Sequence, residues 1–141
     1  MRGPGIACLA VAVLAAAAPA AADPRLESGK RDFMALCSTC HGQDGKGHGP
    51  AASPQHPPAD LTRIPPNADG TFPATLVFRT ISGLDMPGSH GKRDMPVWGD
   101  IFLSEAIGDS VDLKDAARAS EEAARRIANL VRYIESIQTH R

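Results

Sequence analysis

Cys37-Ser38-Thr39-Cys40-His41 sets two thiols and an imidazole within one short run. On a helix, side chains three positions apart share a face. The two sulfurs therefore come up side by side, and His41 follows directly. That order suits two thioether bonds to the vinyl groups of a haem, with the imidazole beneath the ring as an iron ligand. Other chemistries use parts of the same pattern. A C-x-x-C pair acts as a redox dithiol where a strand, a helix and a crossover surround it, and no such pattern flanks this one. A structural zinc needs four ligands, and neither a second C-x-x-C nor a spaced histidine pair follows. A plain disulfide is the third alternative, in an oxidising compartment.

Iron bound by one imidazole has a further axial position to fill. A thioether is a soft ligand that favours ferrous iron, and the chain offers Asp-Met-Pro twice, at Asp85-Met86-Pro87 and Asp94-Met95-Pro96. Met95 and Met86 are both candidates for that position, Met86 lying closer to the preceding helix. Pro96 would stiffen the loop and fix where the sulfur points. Either methionine is equally at home in apolar packing. His48, His56, His90 and His140 are rival ligands. Each also reads as a solvated loop histidine; His90 shares its loop with both methionines and competes best. Met34 reads as core.

Several elements must hold these residues. Leu26, Gly29, Phe33, Leu36 and the cysteines recur at helical spacing, predicting a helix over about Arg25 to Thr39. Gly29 in its middle costs about 1 kcal/mol against Ala, so a packing reason is expected. From Gly42 to Pro66, glycine and proline exclude regular structure. A loop that long needs a purpose, and wrapping a haem edge supplies one. No G-K-[ST] ends the glycine run, so it is not a phosphate loop. A short helix follows from Pro73 to Ile81 with Gly83 at its exit, its apolar stripe being Leu76, Val77 and Ile81. The loop from Gly83 to Gly99 carries Met86, Met95 and Trp98, and Ile101, Phe102, Leu103 and Ile107 then suggest a short helix or turn. The last helix covers about Ser120 to Gln138, beginning as early as Asp112 or Lys114. Ile127, Leu130, Val131, Ile134 and Ile137 mark its buried face, and Arg125, Arg126, Arg132 and Glu135 are expected mostly in solvent. No strand-like alternation of any length appears, so the class is all-α.

Arg2, an apolar run from about Ile6 to Ala18, Pro19 and Ala20-Ala21-Ala22 read as a signal peptide over residues 1–22, leaving one domain over 23–141. An uncleaved anchor is the alternative. Cys8 precedes most of the apolar run, the wrong side for a lipid-attachment cysteine. The expected location is the periplasm or another extracytoplasmic compartment, where c-type haem is attached in bacteria. With 15 basic and 16 acidic residues, the chain has no global charge signature for nucleic acid or a membrane surface.

With these residues placed, the chain resembles the class I cytochromes c along essentially all of its exported part. Three motifs in order carry the likeness: a helix ending in Cys37-Ser38-Thr39-Cys40-His41-Gly42, the loop Asp94-Met95-Pro96-Val97-Trp98-Gly99, and Leu130-Val131-x-Tyr133-Ile134 in the last helix. The resemblance implies one covalently bound haem c with His41 and Met95 as axial ligands. It implies that the terminal helices cross where Gly29 and Phe33 meet Leu130 and Tyr133. It implies that the Pro50 carbonyl accepts the His41 N–H and that Leu61 packs on the haem. Arg63 either reaches a propionate or lies on plain surface, and Trp98 shields the haem edge. The implied function is single-electron transfer between redox protein partners such as a dehydrogenase, an oxidase or another cytochrome, without enzymatic activity in this chain. Two alternatives are a haem-bearing subunit of a periplasmic dehydrogenase or oxidase complex, and a ligand-binding or peroxidase-like haem protein with an open iron.

Overall fold

The computed structural model describes residues 22–85, 95–109 and 112–139. Residues 1–21 of the expected signal peptide (1–22), Met86, His90, Asp94 and His140 lie outside the described residues. The elements are α1 (Pro24–Asp32), a π-helical turn (Phe33–Cys37), α2 (Ser38–His41), a 3-10 turn (Leu61–Arg63), α3 (Ala74–Ser82), α4 (Trp98–Ile107) and α5 (Leu113–Ser136). No strand occurs among the described residues, so the all-α class holds.

The first helix is longer than its pattern suggested and changes pitch. Asp23 caps it, its carboxylate accepting the Arg25 N–H at 2.9 Å, and Pro24 needs no partner in the first turn. After Asp32 the hydrogen bonding widens to the π pattern, in which the Ser38 N–H reaches the Phe33 carbonyl. The helix then resumes and carries Cys40 and His41 on its last turn.

α1 crosses α5 at the expected place. A Cβ at Gly29 would lie 1.9 Å from the Asn129 carbonyl oxygen, so only glycine admits this approach. One turn on, the buried Phe33 ring meets Tyr133 with centroids 5.1 Å apart and planes tilted by 52°. Burial pushes the Tyr133 phenol pKa up.

α5 begins at the earlier of the expected boundaries. Asp112 caps it through the Lys114 N–H at 2.8 Å. Its buried face includes Ile127, Leu130, Val131 and Ile134, together with Ala119 and Ala123 upstream. Arg126 departs from the solvent-facing expectation. Its side chain is only 24% exposed. It donates to both Asp32 carboxylate oxygens, at 3.2 and 3.1 Å, and to Glu105 at 2.6 Å. Its guanidinium also lies 3.9 Å from the centre of the Phe102 ring. One side chain thereby joins α1, α4 and α5.

In α3, Pro73 is the cap rather than the first helical residue, and Gly83 closes the other end at φ 82°. Val77 and Ile81 are buried as the stripe required, whereas Leu76 is 53% exposed. α4 starts at Trp98, so the loop before it ends at Val97. A Cβ at Gly99 would come within 2.5 Å of the Ser82 carbonyl oxygen, which seats the start of α4 on the end of α3. Among the described residues no helix is long and apolar enough to cross a membrane.

Candidate functional site

The end of the first helix presents Cys37, Cys40 and His41 together. Both cysteines are free and half-buried, and His41 is buried. Burial, then the Asp32 carboxylate, then Cys40 push the Cys37 thiol up to about 12. Ser38 sits between them with its hydroxyl turned back onto the Met34 carbonyl at 2.7 Å. Met34 itself packs against the core, as the sequence suggested.

The segment after His41 folds back over the helix end and satisfies its last carbonyls. The Gly47 N–H donates to His41 O at 2.7 Å, Gly49 N–H to Cys40 O at 3.0 Å, and Ala51 N–H to Thr39 O at 2.9 Å. Pro50 is thereby held on the exposed outside of this turn. The His41 Nδ1–H instead donates to the Ala59 carbonyl at 3.1 Å. The contact expected of the Pro50 carbonyl is made here by that of Ala59. The physical reason is the tight return of residues 47–51, which occupies the helix end and leaves the next pass of chain, at 58–61, to meet the ring.

A carbonyl can only accept, so this bond places a proton on Nδ1; Nε2 is the nitrogen that would ligate a metal. The donor set fits a covalently tethered haem. Two free thiols stand at the i, i+3 spacing, with an oriented imidazole one residue on. Among the described residues no group of three or more His, Cys, Asp and Glu gathers as a bare metal site would require.

The other candidates are placed as follows. Met95 is half-buried and packs against the core, as does Trp98, whose ring centroid lies 5.8 Å from that of Phe102. Leu61 is half-buried against the same core. Arg63 is exposed and faces Asp60 at a loose 3.9 Å. It lines a cleft of about 670 Å³ with Ile64, Phe72, Glu135 and Gln138, and no residue of the Cys37–His41 motif lines that cleft. Asp60 has its carboxyl held down by bonds from the Thr62 hydroxyl and N–H, at 2.6 and 2.9 Å. His48 and His56 are exposed. Sequence reasoning missed Ala59 and Gln138. Ala59 acts through a carbonyl, which every residue has, and only the neighbouring Pro57-Pro58 pair marked the segment as one of fixed direction.

The family model described as Cytochrome c matches residues 26–96, half of the chain, from the first helix through Met95 and Pro96. Members of that family bind haem c and generally transfer electrons with redox partner proteins rather than catalyse reactions. No curated protein and no solved structure matches the chain.

Proposed function

We propose that this chain, which belongs to the cytochrome c family, is an exported monohaem electron carrier. Cys37 and Cys40 hold the haem through thioethers, and His41 and Met95 are the axial ligands of its iron. The bound group supplies a single-electron couple between ferrous and ferric iron. The protein's residues supply everything else. Ala59 fixes the imidazole tautomer and orientation. The family match, which runs through Met95 and Pro96, supports the sixth-ligand choice. Leu61 offers apolar surface for a haem face, with Trp98 at the edge and Arg63 as the candidate propionate partner. Redox partners would dock briefly through a small interface of weak affinity. Residues 1–22 are the export signal in this reading, and residues 23–141 the working domain.

The observation that carries this reading is the buried His41 ring, fixed through Nδ1 at the end of the helix that presents both thiols. The test is the absorption spectrum of the exported, haem-matured protein, oxidised and reduced, with and without carbon monoxide. A low-spin c-type spectrum with a methionine-to-ferric charge-transfer band and no carbon monoxide response is expected. A high-spin spectrum that shifts with carbon monoxide would mean an open iron and a sensing or peroxide role. Met95→Ala should keep the haem attached, lower the potential and admit carbon monoxide. If Met86→Ala does so instead, the ligand assignment moves to Met86.

A further inference from the structure

The chain that meets His41 is itself held from the far end of the molecule. Gln138, just past α5, is half-buried and uses its whole amide on backbone groups. Its Oε1 accepts the Ile64 N–H at 3.1 Å, and its Nε2 donates to the Leu61 carbonyl at 2.6 Å and the Ile134 carbonyl at 2.8 Å. The Thr139 N–H and hydroxyl both donate to the Thr62 carbonyl, at 2.9 and 3.0 Å. On the other side of the strip, the Leu61 N–H donates to Gly45 O at 2.7 Å. Leu61 is thus pinned through its N–H by the 42–49 loop and through its C=O by Gln138. Two residues upstream, Ala59 O accepts the His41 Nδ1–H. The carbonyl that meets His41 thus lies two residues before a peptide held by Gln138, on the same short pass of chain.

We propose that Gln138 is a positioning residue for the His41 ligand, acting through Leu61 and Ala59. This rests on the haem reading above. A firm Nδ1–H···O bond raises imidazole basicity and so favours ferric iron. Loosening the strip weakens that bond and raises the reduction potential. Nothing in the Gln138 contacts requires this role for folding alone, since α5 is already fixed by its apolar face and by Arg126.

The test compares the haem-loaded wild type with Gln138→Met, Gln138→Glu and Ala119→Gly. The methionine keeps the size and loses every polar bond. The glutamate keeps an acceptor for Ile64 and sets a lone pair against the Leu61 carbonyl. Ala119→Gly weakens α5 well upstream without touching the strip. At the wild-type midpoint potential, both Gln138 variants should lower the oxidised-to-reduced ratio about three- to tenfold. The His41 Nδ1 proton, followed by NMR in the reduced protein, should exchange faster in both. Ala119→Gly should lower stability and leave potential and proton unchanged. If the Gln138 variants match Ala119→Gly in potential and proton exchange, or lose covalent haem together with the fold, Gln138 is only a staple of the structure and the proposal fails. A wild type without a c-type spectrum would instead overturn the haem reading itself.

Discussion

The crossing of α1 with α5 and the strip around His41 lie close together and are built by different means. The crossing is made by side chains and by the lack of one: Gly29 against the Asn129 backbone, Phe33 on Tyr133, and Arg126 tying Asp32 to Glu105. The strip is made largely by backbone groups. Ala59 O meets the imidazole, the 47–51 amides cover the helix end, and Leu61, Thr62 and Ile64 are held through their peptide groups. A side-chain interface is lost when the residue type changes. A backbone interface is lost only when the path of the chain changes. The two regions should therefore answer mutation very differently.

The largest effect should come at the crossing. Gly29→Ala puts a methyl where 1.9 Å is available beside a carbonyl that cannot turn away. The helices must part, at a cost of about 3 kcal/mol, read by denaturant unfolding of the haem-loaded protein. Wild-type stability in this variant would mean that the helices do not meet this closely. Arg126→Ala comes next. It leaves Asp32 and Glu105 without their shared cation and uncovers Phe102, costing about 1–2 kcal/mol after allowance for partial exposure. Arg126→Lys should recover little, because the paired donors to Asp32 are lost.

The Cys37 thiol sits between the two regions, and its response is to pH. In the haem-free chain its pKa stands at about 12 against an ordinary 9.0, because the folded surroundings favour the neutral form. That contribution to stability is complete below pH 9.0 and is lost as pH rises towards 12, since the unfolded thiol ionises first. At pH 8 the thiolate fraction is about a thousandfold below that of an ordinary cysteine, and alkylation by iodoacetamide should slow accordingly until urea is added. Equal rates with and without urea would mean that Cys37 is not buried. The smallest effect is expected in the loop. Pro50→Ala should leave the potential and the spectrum unchanged and alter stability by less than about 0.5 kcal/mol, because Pro50 is exposed and Ala59 bonds the ring. A shifted potential in Pro50→Ala would restore the role expected of it from the resemblance.

The same contrast explains what could be read from the sequence. A close neighbour at Gly29 was legible because glycine is costly in a helix, its partners Leu130 and Tyr133 came from the resemblance, and the Ile127–Ile134 face was legible because large apolar residues repeat at the helical period. The first turns of α5 were harder to see, since Ala119 and Ala123 are buried yet carry little hydrophobic signal. Arg126 reads as a surface charge until Asp32 and Glu105 are brought to it from other helices. The π-helical turn leaves no mark in residue types, since Phe33–Cys37 are ordinary helix residues whose hydrogen bonds happen to be spaced by five. Leu76 fitted the apolar stripe by spacing but faces away from the buried side of α3. At the site, the thiols and imidazole were legible because their chemistry lies in side chains. The acceptor at Ala59 was not, because its chemistry lies in the peptide group.

The π-helical turn at Phe33–Cys37 stands between the part of the helix that packs on α5 and the part that presents the motif. A turn closed by i→i+5 bonds holds one residue more than the α turn it replaces. Removing one residue there lets the ring close at i→i+4 while the helix on either side keeps its phase. Along this helix, the span from Gly29 to Cys37 is the stretch whose length can change by one without disturbing either anchor. Single-residue deletions, which elsewhere in a helix swing everything downstream by about 100°, would here be absorbed, with the motif and the packing glycine keeping their relative orientation.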